Sequence, residues 1–424
     1  MNFIKRNLKN QNYINNFKFE FISKCQICNS KKITPFYSFG YHPTVNDFAL
    51  TNSFNPKVNY FPLDLILCKN CDLIQLNIII NSKTIFPDNY AYRSGTTKIL
   101  IENFKNLKKN VLKKNILHKK DLVIDIGSND GTLLENFKDY NILGIEPTNV
   151  SKIANKNGIK TIKKPFSYDL SKIIVKKYGY AKLITATNVF AHIENVHSIM
   201  KAIQKLLKKD GIFISENHYF FDLIKTLQYD TVYHEHLRYY SLRSLSKLFI
   251  SYNMEIIDVQ KINTHGGSIR VYTAYKNNYK ISKNVKKLLN LEPYGNKLNK
   301  IIKNFTLRVN RSKLQINNIL YQKKLKGKKI VGISAPSRSS TLINFLGLDH
   351  NIIDYICEIE GSLKIGKNIP GTQIPVVNEK ILFKDQPDFA IIFSWHIYKE
   401  LTSKIKKKGF RGKFIIPLPK PKII

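Results

Sequence analysis

Acidic side chains are scarce in this chain. Its 424 residues include 30 Asp and Glu against 69 Lys and Arg, which gives a formal net charge of +39 at pH 7. A charge of this sign can indicate a polyanionic partner, such as nucleic acid, an anionic membrane or a phosphorylated substrate. The lysines are scattered along the whole chain rather than gathered in one arm. We therefore expect no nucleic-acid partner, whereas a phosphate-bearing small substrate remains compatible with the charge.

Long apolar runs are also missing from the sequence. The N-terminal stretch MNFIKRNLKNQNYINNFKFE has no apolar core long enough for a signal peptide, and no later window approaches the roughly 18 consecutive apolar residues of a membrane span. We therefore expect a cytoplasmic protein without a membrane span. With 43% hydrophobic and 12% aromatic residues, the chain can bury several cores, and its length favours two or three domains.

Cysteines number only five, and four of them form a regular pattern. Cys25 and Cys28 make one C-x-x-C pair, and Cys68 and Cys71 make a second one later in the chain. Two such pairs in one protein are typical of a structural tetrahedral zinc site. A thioredoxin-like redox pair is the alternative, and it is disfavoured because neither pair opens an evident helix after a buried strand. Cys357, in IIDYICEIE, is predicted to be a buried strand residue.

The segment DLVIDIGSNDGTLLENFKDYNILGIEPT (121–148) has the order strand, glycine turn, helix, strand and acid. This order predicts the nucleotide-binding half of a doubly wound sheet, in which Gly127 lets a ligand approach the backbone and Glu146 accepts both ribose hydroxyl hydrogens. Asn129 occupies the position of the middle glycine in G-x-G-x-x-G. Because the dinucleotide fingerprint is missing, hydride transfer is disfavoured and an adenosyl ligand without a pyrophosphate is favoured.

Other periodic segments extend the predicted α/β architecture. We expect an amphipathic helix over 96–115, one strand in LIQLNIII, and further strands in AKLITATNVFAHI and GIFISEN, with a helix between these two that ends at Gly211. A long lysine-rich helix (298–327) then precedes a second alternating series, in which APSRSS is the first strand-to-helix loop. A Ser- and Arg-rich loop at a helix start suits an anionic group.

The motifs of this chain, in their order and spacing, resemble the sugar C-methyltransferases. These S-adenosylmethionine-dependent enzymes methylate a carbon of nucleotide-linked keto-deoxysugars. The resemblance covers nearly the whole chain after residue 24. It rests on the cysteine pairs and on PTVNDF, YAYRSGTT, DIGSNDGTLLENF, GIEPT, VFAHIENV, YDTVYHEHLRYYSL, THGGSIRVY, TLINFLGL and PGTQIPV. The loop SAPSRSS departs from the family pattern of a glycine-alanine turn followed by a lysine, which leaves the nucleotide and the sugar open.

The resemblance implies an α/β protein built around the doubly wound sheet of a class I methyltransferase, with S-adenosylmethionine and zinc as cofactors. We predict an N-terminal extension (1–24), a zinc-binding domain (25–89), a methyltransferase domain (90–280) and a C-terminal α/β domain that binds the sugar nucleotide (281–424). Nothing in the sequence sets the oligomeric state, and a monomer is compatible with it.

The implied reaction needs a base, because a carbon next to a ketone is not nucleophilic until it loses a proton. By resemblance, His236 is the general base, Glu235 orients it or binds a sugar substituent, and Tyr233 is a donor or second proton-transfer group. A neutral imidazole suits the base role near pH 7. His192 is expected to face the cofactor side of the cleft, and Tyr92 to close over the same pocket.

The remaining predicted site residues fall into two groups. For the cofactor, the resemblance implies Asp125, Gly127 and Asn129 at the methionine and ribose part, Glu146 at the ribose and Asn188 beneath the methyl sulfonium. For the substrate, we favour a substrate-facing loop for THGGSIR, with His265 and Arg270 involved, over the alternative of a glycine turn between strands. Arg338 is expected to be a bidentate phosphate donor.

Alternatives remain at this point. Half-buried packing is an equally good interpretation of VYHEHLRYYS from its residues alone, and a His-Glu-His metal site is disfavoured because ligands at i and i+2 of a helix point apart. A zinc-containing RNA or protein methyltransferase is a second class, supported mainly by the charge. O- or N-methylation of the same sugars stays open. A non-catalytic methyltransferase-like module is disfavoured by the retained cofactor acid and HEH triplet.

Overall fold

The computed structural model describes residues 19–51, 58–86 and 93–424. The strands are β1 Phe19–Phe21, β2 Ile33–Pro43, β3 Tyr60–Cys68, β4 Ile74–Leu76, β5 Ile78–Ile80, β6 Leu122–Ile126, β7 Asn141–Ile145, β8 Thr161–Ile162, β9 Ala181–Thr187, β10 Leu207–His218, β11 Arg238–Tyr239, β12 Met254–Ile262, β13 Ser268–Tyr275, β14 Ile330–Ile333, β15 Ile356–Glu358, β16 Val376–Asn378, β17 Phe389–Ile392, β18 Lys413–Ile416 and β19 Lys422–Ile423. The helices are α1 Ser82–Ile85, α2 Lys98–Lys113, α3 Thr132–Glu135, α4 Ser151–Lys156, α5 Tyr168–Tyr178, α6 Val196–Leu206, α7 Phe220–Thr226, α8 Leu242–Ile250, α9 Lys283–Leu291, α10 Gly295–Lys324, α11 Ser337–Leu346, α12 Lys380–Asp385 and α13 Tyr398–Lys407.

The N-terminal region forms a four-stranded antiparallel sheet in the order β11-β4-β3-β2, beside the pair β1-β5. The single strand predicted for LIQLNIII is wrong, because the chain breaks at Asn77 into β4 and β5. Asn77 donates from its side chain to the Asp64 carboxylate (2.6 Å) and from its backbone to the Asp64 carbonyl (3.2 Å), so it leaves the strand geometry. The edge strand β11 comes from a distant part of the chain and directly follows VYHEHL.

A seven-stranded sheet in the order β12-β13-β10-β9-β6-β7-β8 lies at the centre. Strands β6 to β10 are parallel, and the hairpin β12-β13 adds two antiparallel strands. Every residue of β6 is buried, as expected for a parallel strand covered on both faces. The doubly wound sheet is therefore confirmed, and its carboxyl edge collects the loops after β6, β7, β9 and β10.

The segment between β9 and β10 departs from the sequence expectation in two places. The strand ends at Thr187 because Asn188 has a left-handed backbone (φ 57°). The following helix α6 ends at Leu206 instead of Gly211, since Leu207 is already extended (ψ 134°) and pairs with Ala181 in the sheet. Pairing with the neighbouring strand β9 thus ends the helix more than one turn before the glycine.

The C-terminal region carries a second sheet, in the order β16-β15-β14-β17-β18-β19, in which only β19 is antiparallel. The chain continues from β14 to β15 on one side and later returns to β17 on the other side of β14. The strand order therefore reverses between β14 and β17, and in doubly wound sheets the carboxyl ends of two such strands border a crevice. Helix α10 belongs to the apolar cluster that joins the N-terminal sheet to this region, through buried residues at helical spacing that include Leu298, Ile302 and Phe305. Cys357 is a buried residue of β15, as predicted.

Within the described residues, no helix is long and apolar enough to cross a membrane. Two large apolar clusters connect the regions. One joins the N-terminal sheet to α10 and the C-terminal sheet, and the other joins three of the paired cysteines to one face of the seven-stranded sheet. The N-terminal region therefore shares one apolar core with the C-terminal sheet and another with the central sheet. These shared cores fix the positions of the loops that meet at the carboxyl edge of the central sheet.

Candidate active site

The turn after β6 is shaped for a close backbone approach. Gly127 has φ +69°, and a Cβ atom there would lie 2.4 Å from Cγ2 of Val189. Its N–H and that of Ser128 both donate to the Ile145 carbonyl, at 2.8 and 3.1 Å. Only glycine fits this position, because a side chain would meet both backbone strain and the neighbouring loop.

Glu146 is fixed at the end of β7. One of its carboxylate oxygens accepts the backbone N–H of Asn129 (3.1 Å), and the other accepts the N–H and hydroxyl of Thr148 (2.9 and 2.7 Å). The carboxylate is thus oriented by three donors, and it links the glycine turn to the end of the next strand. The ribose contact of Glu146 stays a prediction, and its position at the end of β7 is the one where doubly wound sheets carry such an acid.

Asp125 and Asn188 complete the set of predicted cofactor residues. Asp125 is buried and accepts the Thr185 hydroxyl (2.6 Å); burial raises the pKa of its carboxyl to about 7. The Asn188 backbone donates to the Glu216 carbonyl (2.9 Å), and its side-chain oxygen is buried without a partner among the described residues. The five predicted cofactor residues therefore lie at one edge of the sheet, and Asn188 offers it an unused acceptor.

Four imidazoles form a row beside this edge, which we call the histidine row. Ring centroids are separated by 4.9 Å from His192 to His236, 5.0 Å from His236 to His218, and 5.3 Å from His218 to His265. The backbone N–H of Leu237 donates to the Ala191 carbonyl (3.1 Å), which ties the loop of His236 to that of His192. Three of these residues were predicted from the sequence; His218 was not, although its position directly after a predicted strand was a usable signal.

His236 has a defined tautomer. Its Nδ1 lies 2.7 Å from the Thr231 carbonyl oxygen. Since a carbonyl can only accept, Nδ1 carries the proton and Nε2 keeps a lone pair. Burial, helped by the charges of His265 and Arg338, lowers the pKa of His236 to about 4. The ring is therefore a neutral imidazole with a free basic nitrogen at pH 7.

The side chains just before His236 in the sequence point in different directions. The Tyr233 ring lies 4.1 Å from the His236 ring, whereas Glu235 accepts the side-chain N–H of Asn46 (2.5 Å) from the N-terminal region. His234 points away and donates from Nε2 to the Pro62 carbonyl (3.2 Å). Residues 233–236 form a turn, closed by the hydrogen bond from the His236 N–H to the Tyr233 carbonyl (2.9 Å), so the helix assumed for this triplet is wrong. Its side chains still fail to converge as metal ligands. Among the described residues, the four paired cysteines are the one group that could hold a metal.

Arg270 does not lie on a substrate-facing loop. It is fully buried in β13, where Nε donates to the Glu216 carboxylate (2.6 Å) and Nη2 to the Asn103 side chain (2.8 Å). The motif THGGSIR is divided by the start of β13 at Ser268, which leaves His265 in the turn and places Arg270 inside the sheet. Its guanidinium supports the sheet rather than the cleft.

Arg338 is also engaged by protein groups. It lies in the first turn of α11, so SRSS is helix rather than loop. Nε and Nη2 form a bidentate pair with the Asp230 carboxylate at 2.7 and 2.6 Å, and the Trp395 indole donates to the same carboxylate (2.7 Å). Nη1 lies 3.2 Å from Nδ1 of His396. Arg338 was predicted to bind a phosphate, but it forms a buried ion pair that joins the C-terminal region to the segment before His236. We call the pair of Arg338 and Asp230 the Arg338 clamp.

Replacing Arg338 with methionine should destabilise the protein by about 3–5 kcal/mol, because Asp230 would remain as a buried, unpaired charge. The double variant Arg338→Met/Asp230→Asn should lose less than Arg338→Met. Urea unfolding followed through Trp395, the chain's single tryptophan, measures both. Lys329→Met, which breaks the more exposed pair with Asp385, serves as the control and should change stability by about 1 kcal/mol or less. Equal losses in all three variants would contradict the clamp.

The paired cysteines converge although they lie on separate turns. Sγ of Cys25 is 3.5 Å from that of Cys71, Sγ of Cys28 is 3.5 Å from that of Cys68, and all four sulfurs lie within 4.8 Å of one another. Four sulfurs about 2.3 Å from a central zinc would be about 3.8 Å apart. The site fits a tetrahedral zinc ion held by these four thiolates.

Of the other predicted residues, Tyr92 lies outside the described residues. Asn46, Asp230 and His396 reach the site from three separate regions and were not predicted. Asn46 and Asp230 lie within the motifs PTVNDF and YDTVYHEHLRYYSL, but neither motif indicated a role for them, because their partners in the cleft are distant in sequence.

Comparisons with known proteins agree with this architecture. Family models match residues 25–86 ("Putative zinc binding domain"), 99–259 ("Methyltransferase domain") and 263–419 ("C-methyltransferase C-terminal domain"). C-methyltransferase NovU of Streptomyces niveus is 30% identical over 411 residues, which cover 95% of this chain and 97% of NovU.

Solved structures match part of the chain. A SAM-dependent methyltransferase of Anabaena variabilis is 15% identical and covers 41% of this chain and 84% of its own, with a TM-score of 0.33. Magnesium protoporphyrin IX methyltransferase of Synechocystis is 11% identical, covers 42% and 79%, and has a TM-score of 0.31. The full-length relative and the three consecutive family matches carry the assignment: the chain belongs to the C-methyltransferase family and is an S-adenosylmethionine-dependent methyltransferase with an N-terminal zinc-binding domain.

Proposed function

We propose that this enzyme methylates the carbon next to the ketone of a nucleotide-linked keto-deoxysugar, through an enolate formed by His236. The observation that carries the proposal is the free Nε2 of a neutral, buried His236, beside the cofactor edge of the central sheet. Methylation at carbon needs such a base, since the nucleophile must first be made by proton removal.

His236 removes the α-proton with Nε2, while the Thr231 carbonyl holds the ring in that tautomer. The ketone oxygen gains negative charge in this step and needs hydrogen-bond donors. Tyr233 and His192 flank the His236 ring and are our candidates for this role. S-adenosylmethionine, held by the residues around Gly127 and Glu146, supplies an electrophilic methyl group. Enclosure by three regions of the chain would exclude water from the enolate.

The C-terminal sheet supports a nucleotide-linked substrate. The crevice at the ends of β14 and β17 is where doubly wound sheets bind ligands, and its residues Trp395 and His396 reach the Arg338 clamp next to the histidine row. Because Arg338 is paired with Asp230, we assign the phosphate contact elsewhere. Lys364, which is near the charges of Glu358 and Glu235, is our candidate, since burial lowers its pKa and a phosphate would restore its preference for the charged form.

The test is a methyl-transfer assay with purified protein, S-adenosylmethionine and a panel of 4-keto-6-deoxy sugar nucleotides. We expect S-adenosylhomocysteine to form together with a product whose new methyl group is bonded to carbon by NMR. A product methylated at oxygen or nitrogen would show that a hydroxyl or amino group of the sugar attacks the methyl group directly, without an enolate. Labelling of RNA, with no transfer to any sugar of the panel, would contradict the proposal.

A further inference from the structure

His218 and His265 are the two members of the histidine row to which the proposed reaction gives no role, and His218 is the one that contacts the His236 ring. It ends β10, next to the strand whose loop carries Asn188 and His192, and so it lies at the cofactor edge of the sheet. Its ring is between those of His236 and His265. Within the described residues, neither of its ring nitrogens has a hydrogen-bond partner in the protein. An imidazole placed beside a base without a structural hydrogen bond is available for proton transfer.

The proposed reaction leaves a proton behind. The substrate C–H bond breaks with its electron pair on carbon, and the proton passes to Nε2 of His236. A C–C bond then forms to the methyl group, and the C–S bond breaks with its electrons on sulfur, which gives neutral S-adenosylhomocysteine. One proton per turnover therefore remains on His236, inside a buried site, and must reach solvent before the next cycle.

The surroundings of His236 limit where this proton can go. On the Nδ1 side, the Thr231 carbonyl accepts a hydrogen bond but cannot pass a proton on. On the His192 side, the last described ring next to the row is that of Phe86, which carries no titratable group and whose centroid is 5.8 Å from that of His192. On the other side it continues through His218 to His265, whose Nε2 is buried without a partner among the described residues. Beyond His265, Arg338 contacts the exposed His396.

We propose that His218 is a proton-relay residue, which takes the proton of the reaction from His236 and passes it through His265 towards solvent. Ring centroids 5.0 and 5.3 Å apart leave room for a direct hydrogen bond or for one bridging water at each step. His236 releases the proton from Nε2, since its Nδ1 stays bonded to the Thr231 carbonyl. His218 and His265 each accept at one nitrogen and release from the other, so all three rings return to neutrality and no further reactant is needed.

The charges around His218 support transfer rather than storage of a proton. Burial lowers the pKa of His218 well below its usual range, and the facing His236, His265, Arg338 and His192 act in the same direction. A proton that arrives on His218 is therefore not retained. The relay rests on the proposed enolate chemistry, because another methylation mechanism would place the departing proton elsewhere.

The experiment compares wild type with His218→Phe, which keeps an aromatic ring but cannot carry a proton. The exchange of the substrate α-hydrogen with D₂O is followed in the presence of S-adenosylhomocysteine, and methyl transfer is followed with S-adenosylmethionine. We expect both rates to fall about 10-fold or more in His218→Phe, with an unchanged Kd for S-adenosylmethionine. In His218→Ala, added imidazole should restore part of the exchange rate. His197→Gln, on α6 and bonded to Tyr252, is the control and should behave as wild type.

The outcomes separate the relay from the reaction it serves. If wild type neither exchanges the α-hydrogen nor methylates the sugar, the enolate proposal fails. If His218→Phe exchanges and methylates at wild-type rates, only the relay fails. A loss in His218→Phe that imidazole does not relieve in His218→Ala would assign His218 to packing and also overturn the relay. His218→Gln replaces His218→Phe if circular dichroism shows that the phenylalanine variant is not folded.

Discussion

Replacing His236 with glutamine should lower kcat by about 10²- to 10⁴-fold, which is the usual contribution of a general base, and should leave the Kd for S-adenosylmethionine close to wild type. Glutamine can still donate to the Thr231 carbonyl, but it offers no basic nitrogen in place of Nε2. The cofactor edge around Gly127 and Glu146 does not depend on the His236 ring. Methyl-transfer kinetics and calorimetric titration with the cofactor measure the two quantities separately.

His234→Gln is the matched control, two residues away. The His234 ring points towards the Pro62 carbonyl and the Phe61 ring, so its replacement should cost about 1–3 kcal/mol of stability and leave kcat of the folded enzyme within a few-fold of wild type. Near-normal kcat in His236→Gln, or equal losses in both variants, would refute His236 as the base.

The pH profile of wild type offers a second check on the same residue. A base works only when unprotonated, so kcat/KM should fall on the acid side of the pKa of His236. Because burial, with the charges of His265 and Arg338, lowers this pKa to about 4, activity should persist at pH 5–6, where an ordinary histidine of pKa about 6.5 would already be largely protonated. An acid limb close to pH 6.5 would contradict the environment described for His236.

Loss of zinc should have the second large effect. Cys25→Ser should abolish the binding of about one zinc ion per chain, lower stability by several kcal/mol and remove most methyl-transfer activity, since zinc supplies about 10–16 kcal/mol to the folding of small zinc domains. The effect reaches the active site because β11, which starts two residues after His236, is an edge strand of the zinc-region sheet. Arg238 of β11 also donates to the Gln26 side chain between the first two cysteines.

Zinc analysis, thermal unfolding and the methyl-transfer assay test this coupling on the same preparations. Cys357→Ser is the matched control, because Cys357 is equally buried but belongs to the C-terminal sheet, away from the four-thiolate centre. It should keep its zinc and lose only about 1–3 kcal/mol for the buried hydroxyl. A zinc-free Cys25→Ser protein with full activity would show that the zinc region does not support the catalytic loop.

Local patterns in the sequence were enough to predict the central sheet and the metal site. The apolar run of β6, the turn at Gly127 and the acid at Glu146 lie within one short segment of the chain, so strand periodicity and turn chemistry reveal them directly. The spacing of the cysteine pairs predicted the zinc centre in the same way. Element ends were less predictable, as the early stop of α6 at Leu206 shows, because pairing of Leu207 in the sheet outweighed the glycine signal.

The sequence by itself determined the family and the cofactors, and it predicted the strand ends at which we place the site. The tertiary structure decided which side chains are free to act there. Arg270 and Arg338 were reasonable substrate ligands by charge and position, but each is paired with a carboxylate from another element, Glu216 and Asp230. Burying an arginine in this protein required a partner distant in sequence, and burial of His236 set its neutral state. Such pairings depend on contacts across the fold, which no local pattern encodes.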